Sequence, residues 1–205
     1  NGFDGSVDSV TIYGADADRS VNNNGLIVNG TITKTAVATG AELMAYSGFS
    51  PTNYLEQPYN ADLDFGTGDF SIVFWAKPSA LTFSRSFIEF GSGVRVCSVG
   101  GYLGVYIPGV TTSTLLLKAG VWQMASVRRS GGELYFGLNG VEDAPVANTW
   151  NATYTGEVVV GGGGILAEYS GSLALMRVSA TAPSAAQILK AYNDEKYLFQ
   201  ENALA

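Results

Sequence analysis

The sequence predicts an all-β protein in which two antiparallel sheets form a jelly-roll sandwich with one short C-terminal helix. Two short apolar segments each carry a tryptophan and follow a glycine turn, FSIVFW at 70–75 and WQMASV at 122–127. A strand and hairpin signal, ELYFGLNG at 133–140, follows the second segment. Only 14% of the 205 residues are charged and 26 are glycine, which is typical of many strands joined by tight turns.

The first 47 residues precede these signals, and we interpret 1–47 as a strand-rich N-terminal extension or as the end of an upstream domain. Alternation of apolar and polar residues predicts its strands. They are 7–13, 26–28, 31–37 and, unless it is the chain entering the main domain, 42–49. Residues 14–18 read as a small acidic turn. Asn29-Gly30, between two of the strands, predicts a type I′ hairpin.

The rest of the chain alternates strand candidates with glycine-containing turns and ends in a helix. The strand candidates are 53–56, 70–75, 87–90, 94–99, 103–107, 114–117, 122–127, 133–140, 158–160 and 172–178. The helix is predicted at 185–197, because Ser184 is a favourable N-cap and Gln187 completes a capping box. Three apolar residues at helical spacing are expected to face a sheet: Ile188, Leu189 and Tyr192.

Charge and hydropathy argue against two classes of partner. The formal net charge is −7, which opposes binding to nucleic acid or to an anionic membrane surface. No window approaches the length of uncharged apolar sequence that a membrane span needs, so we expect no membrane insertion. The chain begins at Asn1 rather than at a methionine, and we therefore expect it to be an excerpt from a longer protein.

Catalysis finds little support in the residue types. The chain has no histidine, so neither a Ser-His-Asp triad nor a histidine-ligated zinc is possible. Its single cysteine, Cys97, allows no intrachain disulfide and is interpreted as a small buried hydrophobe. No strand carries the alternating acids that a glycosidase of this general fold needs. We therefore expect no enzyme, unless acids from separate loops converge.

Four motif blocks, in order, resemble the laminin-G-like, concanavalin A-like jelly-roll domains from Gly48 to Glu195. The blocks are Phe49 with NYLE at 53–56, LDFG at 63–66 and DFSIVFW at 69–75; GVWQMASVRR at 120–129 with GGELYFGLNG at 131–140; VGG at 160–162; and YSGSLALMRV at 169–178 with the following helix. The resemblance implies a jelly-roll domain at 48–199 and a C-terminal tail at 200–205. It also implies a scaffold that binds more often than it catalyses.

A narrower resemblance lies at the two ends of this region. Residues 20–48 and EKYLFQENA at 195–203 look like segments that flank such domains in bacteriophage tail and tail-fibre proteins. This resemblance implies an extracellular location in the virion, in a tail or appendage, and contacts with other virion subunits. By analogy with tail fibres, it also implies a homo-oligomer, with a trimer preferred.

The three tryptophans receive different interpretations. Trp75 and Trp122 lie within apolar strands and are predicted to pack in the core between the sheets. Trp150 lies in the polar stretch NTWNATYT at 148–155, where an exposed ring could stack on a sugar while Asn and Thr bind its hydroxyls. Alternatively, Trp150 caps one end of the core or packs on a neighbouring subunit. The candidate ligand-binding residues are Trp150, Asn151, Tyr154, Tyr102 and Tyr106, with Tyr169 as a weaker member.

Calcium is the one cofactor that the resemblance raises, because some laminin-G-like relatives hold Ca²⁺ at one rim. The candidate ligands are Asp62, Asp64 and Asp69, which flank a tight turn. Glu142-Asp143 and the pair Asp16 and Asp18 are further acidic clusters, but none matches a continuous Ca²⁺ loop. The alternative is that all of these are solvated turn carboxylates, with no metal bound.

Two functional hypotheses remain after the sequence analysis. The first is a non-catalytic domain of a phage tail or fibre that recognises a bacterial surface glycan, with Trp150 as its best local support. The second is a structural assembly or decoration domain that mediates subunit contacts without binding a glycan. The low charge and high apolar content of the chain fit both.

Overall fold

The computed structural model describes residues 15–16, 25–81, 84–91, 93–107, 109–162 and 167–200, with the backbone alone at 15–16. The predicted strand at 7–13 and the tail from residue 201 lie outside the described residues. The strands in the described part are β1 (Ala15–Asp16), β2 (Leu26–Asn29), β3 (Thr33–Ala36), β4 (Met44–Ser47), β5 (Tyr54–Gln57), β6 (Phe70–Pro78), β7 (Arg85–Phe90), β8 (Val94–Val99), β9 (Tyr102–Tyr106), β10 (Val110–Leu116), β11 (Gln123–Ser130), β12 (Glu133–Leu138), β13 (Val141–Glu142), β14 (Val146–Ala147), β15 (Val158–Val160) and β16 (Gly171–Ser179). The helices are α1 (Ala185–Glu195) and two 3-10 turns, Ala61–Leu63 and Lys196–Phe199.

The strands form two antiparallel sheets that pack face to face. Sheet A has the order β1-β2-β5-β15-β7-β8-β9-β10, and sheet B has the order β13-β12-β11-β6-β16-β4-β3, with β14 also paired to β12. The consecutive strands β4, β5, β6 and β7 alternate between the sheets. The predicted all-β, two-sheet jelly-roll sandwich with a short C-terminal helix is therefore confirmed.

The main core lies between the two sheets and is rich in phenylalanine. The rings of Phe65 and Phe70 stack with their centroids 4.9 Å apart, and those of Phe74 and Phe87 lie 5.0 Å apart. All four side chains are buried. Removal of such large apolar surfaces from water supplies most of the driving force for the sandwich.

Trp75 lies outside this core, so its predicted place between the sheets is wrong. Phe74 in β6 points into the sandwich, and the alternation of a strand sends Trp75 to the opposite face of sheet B. There its ring stacks on Phe199 at 4.0 Å and on Tyr192 at 5.8 Å, and its Nε1 donates to Glu195. α1 and the following 3-10 turn thus cover a second hydrophobic cluster.

Trp122 also departs from its predicted place. It precedes β11, is only partly buried, and packs against the second cluster rather than between the sheets. Its Nε1 donates to the carbonyl oxygen of Val37 at 3.0 Å, and its ring lies 5.0 Å from that of Phe199. Trp122 therefore joins the segment before β4 to the C-terminal end of the described chain.

The predicted hairpin at Asn29-Gly30 is wrong, because the two strands beside it enter different sheets. β2 pairs with β1 and β5 in sheet A, whereas β3 pairs with β4 in sheet B. Gly30 has φ of +65°, as a turn residue should. A Cβ there would lie 2.2 Å from the carbonyl oxygen of Thr52, so the turn is a packed corner between the sheets.

Residues from both sides of position 47 build the same two sheets. β2 lies beside β5 in sheet A, and β4 lies beside β16 in sheet B. The sandwich thus continues across the boundary that the sequence analysis places between 47 and 48. Residues 15–16, which the sequence suggests to be part of a turn, form β1 and pair with β2.

Several local predictions are confirmed. β8 and β15 have the predicted limits, 94–99 and 158–160. Asn139 and Gly140 have φ of +53° and +79°, as the hairpin between β12 and β13 requires. Cys97 is buried, as predicted, and burial raises the pKa of its thiol to about 12, so the group is a neutral thiol at physiological pH.

The capping box of α1 is confirmed, and the contacts of the helix are confirmed in part. The Ser184 side chain accepts from the Gln187 backbone, and the Gln187 side chain accepts from the Ser184 backbone. Ile188 is buried, but Leu189 is exposed and contacts the turn at Gly140 rather than a sheet face. Within the described residues, no helix is long and apolar enough to cross a membrane.

Candidate functional site

The exposed indole of Trp150 is the most prominent feature of one loop surface, which we call the Trp150 surface. It is formed by two adjacent loops, 58–69 and 148–157. The Trp150 side chain is 52% exposed, and of the alternatives that the sequence leaves open, an exposed ring is the one observed. The ring is therefore available to a ligand or partner, while the backbone beside it is held as described next.

A buried guanidinium, that of Arg129 in β11, joins the two loops. Its Nη1 donates to the carbonyl oxygen of Trp150 at 2.6 Å, and its Nη2 donates to that of Gly66 at 2.7 Å. Its Nε donates to the carbonyl oxygen of Gly68, also at 2.7 Å. The guanidinium carbon lies 5.0 Å from the centroid of the Phe70 ring. One side chain thus binds three backbone carbonyls from both loops.

The charge of Arg129 is unusual, because the described residues offer it backbone carbonyls and no carboxylate in direct contact. Burial lowers the pKa of Arg129, while the nearby Asp69 carboxylate acts in the opposite direction. Arginine nevertheless stays protonated in proteins, so the guanidinium remains a donor. Asp69 itself accepts from the Gly131 backbone at 3.0 Å.

Further hydrogen bonds hold the Trp150 loop. The Ala152 backbone N–H donates to the Gly66 carbonyl oxygen at 2.6 Å. Asn151 Oδ1 accepts from both the backbone N–H and the hydroxyl of Thr153, at 3.2 and 2.7 Å. The oxygen of the Asn151 amide is therefore engaged within this local turn. The side chains of Asn151 and Thr153 are both exposed.

Tyr154 cannot serve as a stacking platform, which corrects its place among the candidates. Only 2% of it is exposed, because its ring packs on Phe90 and covers one end of the core. Its hydroxyl donates to the Asn60 carbonyl oxygen at 3.1 Å, and burial raises its pKa. Tyr169 is corrected for the same reason, since it is buried against Phe87 and its pKa lies well above the usual value.

Tyr59 is an exposed aromatic residue that the sequence analysis missed. Its ring meets that of Tyr154 edge-on at 5.4 Å, which places it on the Trp150 surface. The sequence does indicate that Tyr59 is exposed. Tyr59 follows Pro58 at the end of a strand and precedes Asn60, so its neighbours are polar and turn-forming, like those of Trp150. The Trp150 surface therefore presents Tyr59, Trp150, Asn151 and Thr153.

Tyr102 and Tyr106 lie on a different surface. Leu103 and Val105 in β9 face the core, so the alternation of the strand places both tyrosines on the outer face of sheet A. Tyr102 is exposed, and the Tyr106 ring lies 4.7 Å from the guanidinium carbon of Arg95. The structure thus divides the five candidate ligand-binding residues between two surfaces.

The three candidate calcium ligands do not converge. Asp62 is exposed on a 3-10 turn, Asp69 accepts from a backbone N–H, and one oxygen of Asp64 is buried without a partner. In the described ranges, no group of three or more acidic, cysteine or histidine side chains could hold a metal. The candidate Ca²⁺ ligands Asp62, Asp64 and Asp69 are therefore not brought together as a metal site.

The second acidic cluster has structural partners. Both carboxylate oxygens of Glu142 accept from Arg128 at 2.7 Å. Asp143 accepts from the backbone N–H and the hydroxyl of Thr114, and these bonds lower its pKa. Glu142 joins β13 to β11 within sheet B, and Asp143 joins the sheets at the β10 edge.

No protein-family model matches the chain, and no curated protein matches its sequence. Solved structures match its fold. The binding domain of a Paraclostridial mosquitocidal protein superposes with a TM-score of 0.72 at 12% identity, over 87% of this chain and 49% of that one. Domain 4 of a GH43 extracellular arabinanase from Geobacillus stearothermophilus, in complex with arabinotriose, gives 0.63 at 17% identity, over 83% and 82%.

A third similar structure belongs to botulinum neurotoxin type C, which depends on interaction with two ganglioside molecules to enter cells. Its TM-score is 0.64 at 11% identity, over 89% of this chain and 50% of that one. This chain thus spans about half the length of the two toxin chains that it matches. At these identities the likeness concerns the fold, and the chain shares its jelly-roll sandwich with domains from toxins and from an arabinanase.

Proposed function

We propose that this chain is a non-catalytic domain of a phage tail or tail fibre and that its Trp150 surface binds a bacterial surface glycan. The observation that carries the proposal is an exposed tryptophan whose backbone is held by a buried arginine. The Trp150 ring offers an apolar face, and Asn151 and Thr153 beside it offer polar groups. This combination suits a sugar, which has both apolar C–H faces and hydroxyl groups.

The fixed backbone matters for affinity. A loop that becomes ordered only on binding loses conformational entropy, which reduces the affinity for its ligand. The bonds from Arg129 to the carbonyls of Gly66, Gly68 and Trp150 order the loops before a ligand arrives. The arabinotriose bound by the arabinanase domain and the ganglioside dependence of the type C neurotoxin support a glycan as ligand. The resemblance of the flanking segments supports an extracellular virion location.

Replacement of Trp150 by Ala should weaken glycan binding by at least about tenfold, the equivalent of about 1.4 kcal/mol. The apolar stacking face is lost, while the loop backbone keeps its bonds to Arg129. The measurement is a glycan array of bacterial surface polysaccharides, followed by titration calorimetry with the best ligand.

The matched control is Tyr197→Ala, which removes another exposed aromatic ring, next to α1. It should leave binding unchanged. Retention of full affinity in folded Trp150→Ala, or the absence of binding to every polysaccharide by the folded wild-type protein, would contradict the proposal.

An assembly role is the second candidate, because exposed apolar residues gather where edge strands of the two sheets meet. Asp143 binds Thr114 across this edge, so β10 and the segment from β13 to β14 are neighbours. Exposed apolar side chains lie on either side of Thr114 and of Asp143 in the sequence. They are Val110, Leu116, Val141 and Val146. An open edge strand with apolar neighbours favours contact with another subunit.

The double variant Leu116→Glu with Val141→Glu should convert a homotrimer to monomers, because charges at an apolar contact lose their hydration. Size-exclusion chromatography with light scattering gives the mass of both proteins. A monomeric wild-type chain, or a trimer that the double variant leaves intact, would exclude this edge as the subunit contact. Glycan titration of the double variant separates assembly from recognition, because the Trp150 surface is unchanged.

A further inference from the structure

A row of side chains crosses the outer face of sheet A at the middle of its strands. Val159 in β15 pairs with Glu56 in β5 on one side and with Glu89 in β7 on the other. Glu89 pairs with Arg95 in β8, and Arg95 pairs with Tyr106 in β9. Residues directly opposite one another point to the same face of a sheet, so the row is continuous.

The centre of this row is a buried ion pair that does not satisfy its own hydrogen bonds. Glu89 is 4% exposed and Arg95 is 2% exposed, and Arg95 Nε lies 3.5 Å from Glu89 Oε2. Neither Glu89 Oε1 nor Arg95 Nε has a hydrogen-bond partner among the residues that the structure describes. A buried acceptor without a donor is costly, and such atoms are rare in folded proteins. The Glu89 carboxylate therefore lacks a donor that a ligand beside it would supply.

Glu89 lines a cavity of about 210 Å³ on this face. Val159 and Tyr54 supply apolar surface to its wall, and Glu157 supplies a carboxylate from an exposed position. Gly91 and Gly162 complete much of the remaining wall with backbone alone. Sites for drug-sized ligands have volumes of about 300–1,000 Å³, so this cavity suits a single small ring.

The geometry points to a second ligand site in this cavity, for one neutral sugar residue whose hydroxyl group donates to the Glu89 carboxylate. A hydroxyl supplies the donor that Glu89 lacks, and the C–H groups of the ring lie against Val159 and Tyr54. A cation fits less well, because Arg95 already neutralises Glu89, and the charge of Glu157, the other carboxylate of the wall, is exposed to water. Of the residues that line this site, only Glu157 belongs to the loops of the Trp150 surface, and the site does not use the Trp150 ring.

Nuclear magnetic resonance of the ¹⁵N-labelled chain tests this site residue by residue. The probes are arabinotriose, maltotriose and N-acetylglucosamine, with tetramethylammonium chloride as a cationic probe. We expect at least one of the sugars to shift the backbone amides of Gly91, Glu157, Val159 and Gly162 at millimolar concentration. Trp150→Ala should leave these shifts unchanged, which distinguishes this site from the proposed function.

Two variants address the cavity itself. In Glu89→Gln the amide oxygen faces Arg95 and the NH₂ group faces the cavity, so the acceptor is lost and the affinity should fall by at least about tenfold. Val159→Phe fills the cavity while keeping the ion pair, and should abolish the shifts. Glu133→Gln, on an exposed position of sheet B, is the matched control and should have no effect.

The outcomes that overturn the inference are equally specific. They are an absence of shifts at these amides with all three sugars, survival of the shifts in folded Val159→Phe, and stronger shifts from tetramethylammonium than from any sugar. If Glu89→Gln does not fold because Arg95 loses its partner, Val159→Phe still decides the question. Loss of the shifts in Trp150→Ala would also overturn it, since the two sites would then be one.

Discussion

Arg129→Met should destabilise the protein by about 4 kcal/mol, because a buried side chain loses its hydrogen bonds to three backbone carbonyls and to the Asn148 amide oxygen at once. Methionine replaces much of the volume of the side chain but cannot donate to the carbonyl oxygens of Gly66, Gly68 and Trp150. Each carbonyl left without a donor costs about 1–3 kcal/mol, and partial access of water to the loops limits the total. Urea unfolding followed by circular dichroism gives the change in the free energy of unfolding.

The matched control for this prediction is Arg177→Met. Arg177 pairs with Glu195, but its side chain is 45% exposed, and exposed pairs contribute about 0–1 kcal/mol. Arg129→Lys should lie between the two, because lysine keeps the charge but not the planar set of donors. An effect of Arg129→Met no larger than that of Arg177→Met would show that the loops do not need the guanidinium. A folded Arg129→Met should also bind glycan more weakly, since the Trp150 backbone is no longer held.

Trp75→Ala is expected to cost about 3–5 kcal/mol and to release α1 from sheet B. The ring stacks on Phe199 and Tyr192, and its Nε1 donates to Glu195 at 2.7 Å, so its removal leaves a cavity and takes away one of the donors to Glu195, which keeps its bonds from Arg177. Thermal unfolding measures the loss of stability. Hydrogen exchange of the α1 amides measures the release of the helix, which should exceed the change in the strands.

Trp150→Ala provides the same chemical change at an exposed site and should change the free energy of unfolding by less than about 1 kcal/mol. Trp75→Phe keeps an aromatic ring for stacking but loses the hydrogen bond and part of the ring, so its stability should lie between those of Trp75→Ala and the wild-type protein. Equal effects of Trp75→Ala and Trp150→Ala would contradict the assignment of Trp75 to the buried cluster beneath α1.

The sequence predicts most strands but not where each strand goes. β8 and β15 are apolar runs bounded by glycine, and their limits follow from composition alone. The Asn29-Gly30 turn shows the limit of local reasoning, because the same dipeptide can join two strands of a hairpin or turn a corner between sheets. The partners of β2 and β3 decide between these, and they are far away in the sequence.

Trp75 shows a second limit. β6 is buried on both faces, so almost every residue from Phe70 to Pro78 is apolar or small and no alternation reveals which side faces the core. The helix that covers the outer face begins more than a hundred residues later in the chain. The second cluster therefore becomes visible only when α1 is packed on sheet B.

The candidate sites divide in the same way. The polar stretch at 148–155 holds both an exposed ring, Trp150, and a buried ring, Tyr154, and the end of the core beneath Tyr154 decides between them. The role of Arg129 has no sequence signal beyond a charge at the end of an apolar strand. Arg129 holds the loops through carbonyl oxygens that lie about 20 and about 60 residues away in the sequence.

By itself, then, the sequence left the exposure of Trp150 open, and it determined the all-β class, the two-sheet sandwich and the helix with its capping box. These depend on alternation, turn residues and capping, which act between residues close together in the chain. The tertiary structure alone decided the sheet of each strand, the second hydrophobic cluster, the arginine that holds the Trp150 loop and the unsatisfied Glu89 in its cavity. Each of these depends on contacts between distant segments, whose partners are chosen by packing rather than by local pattern.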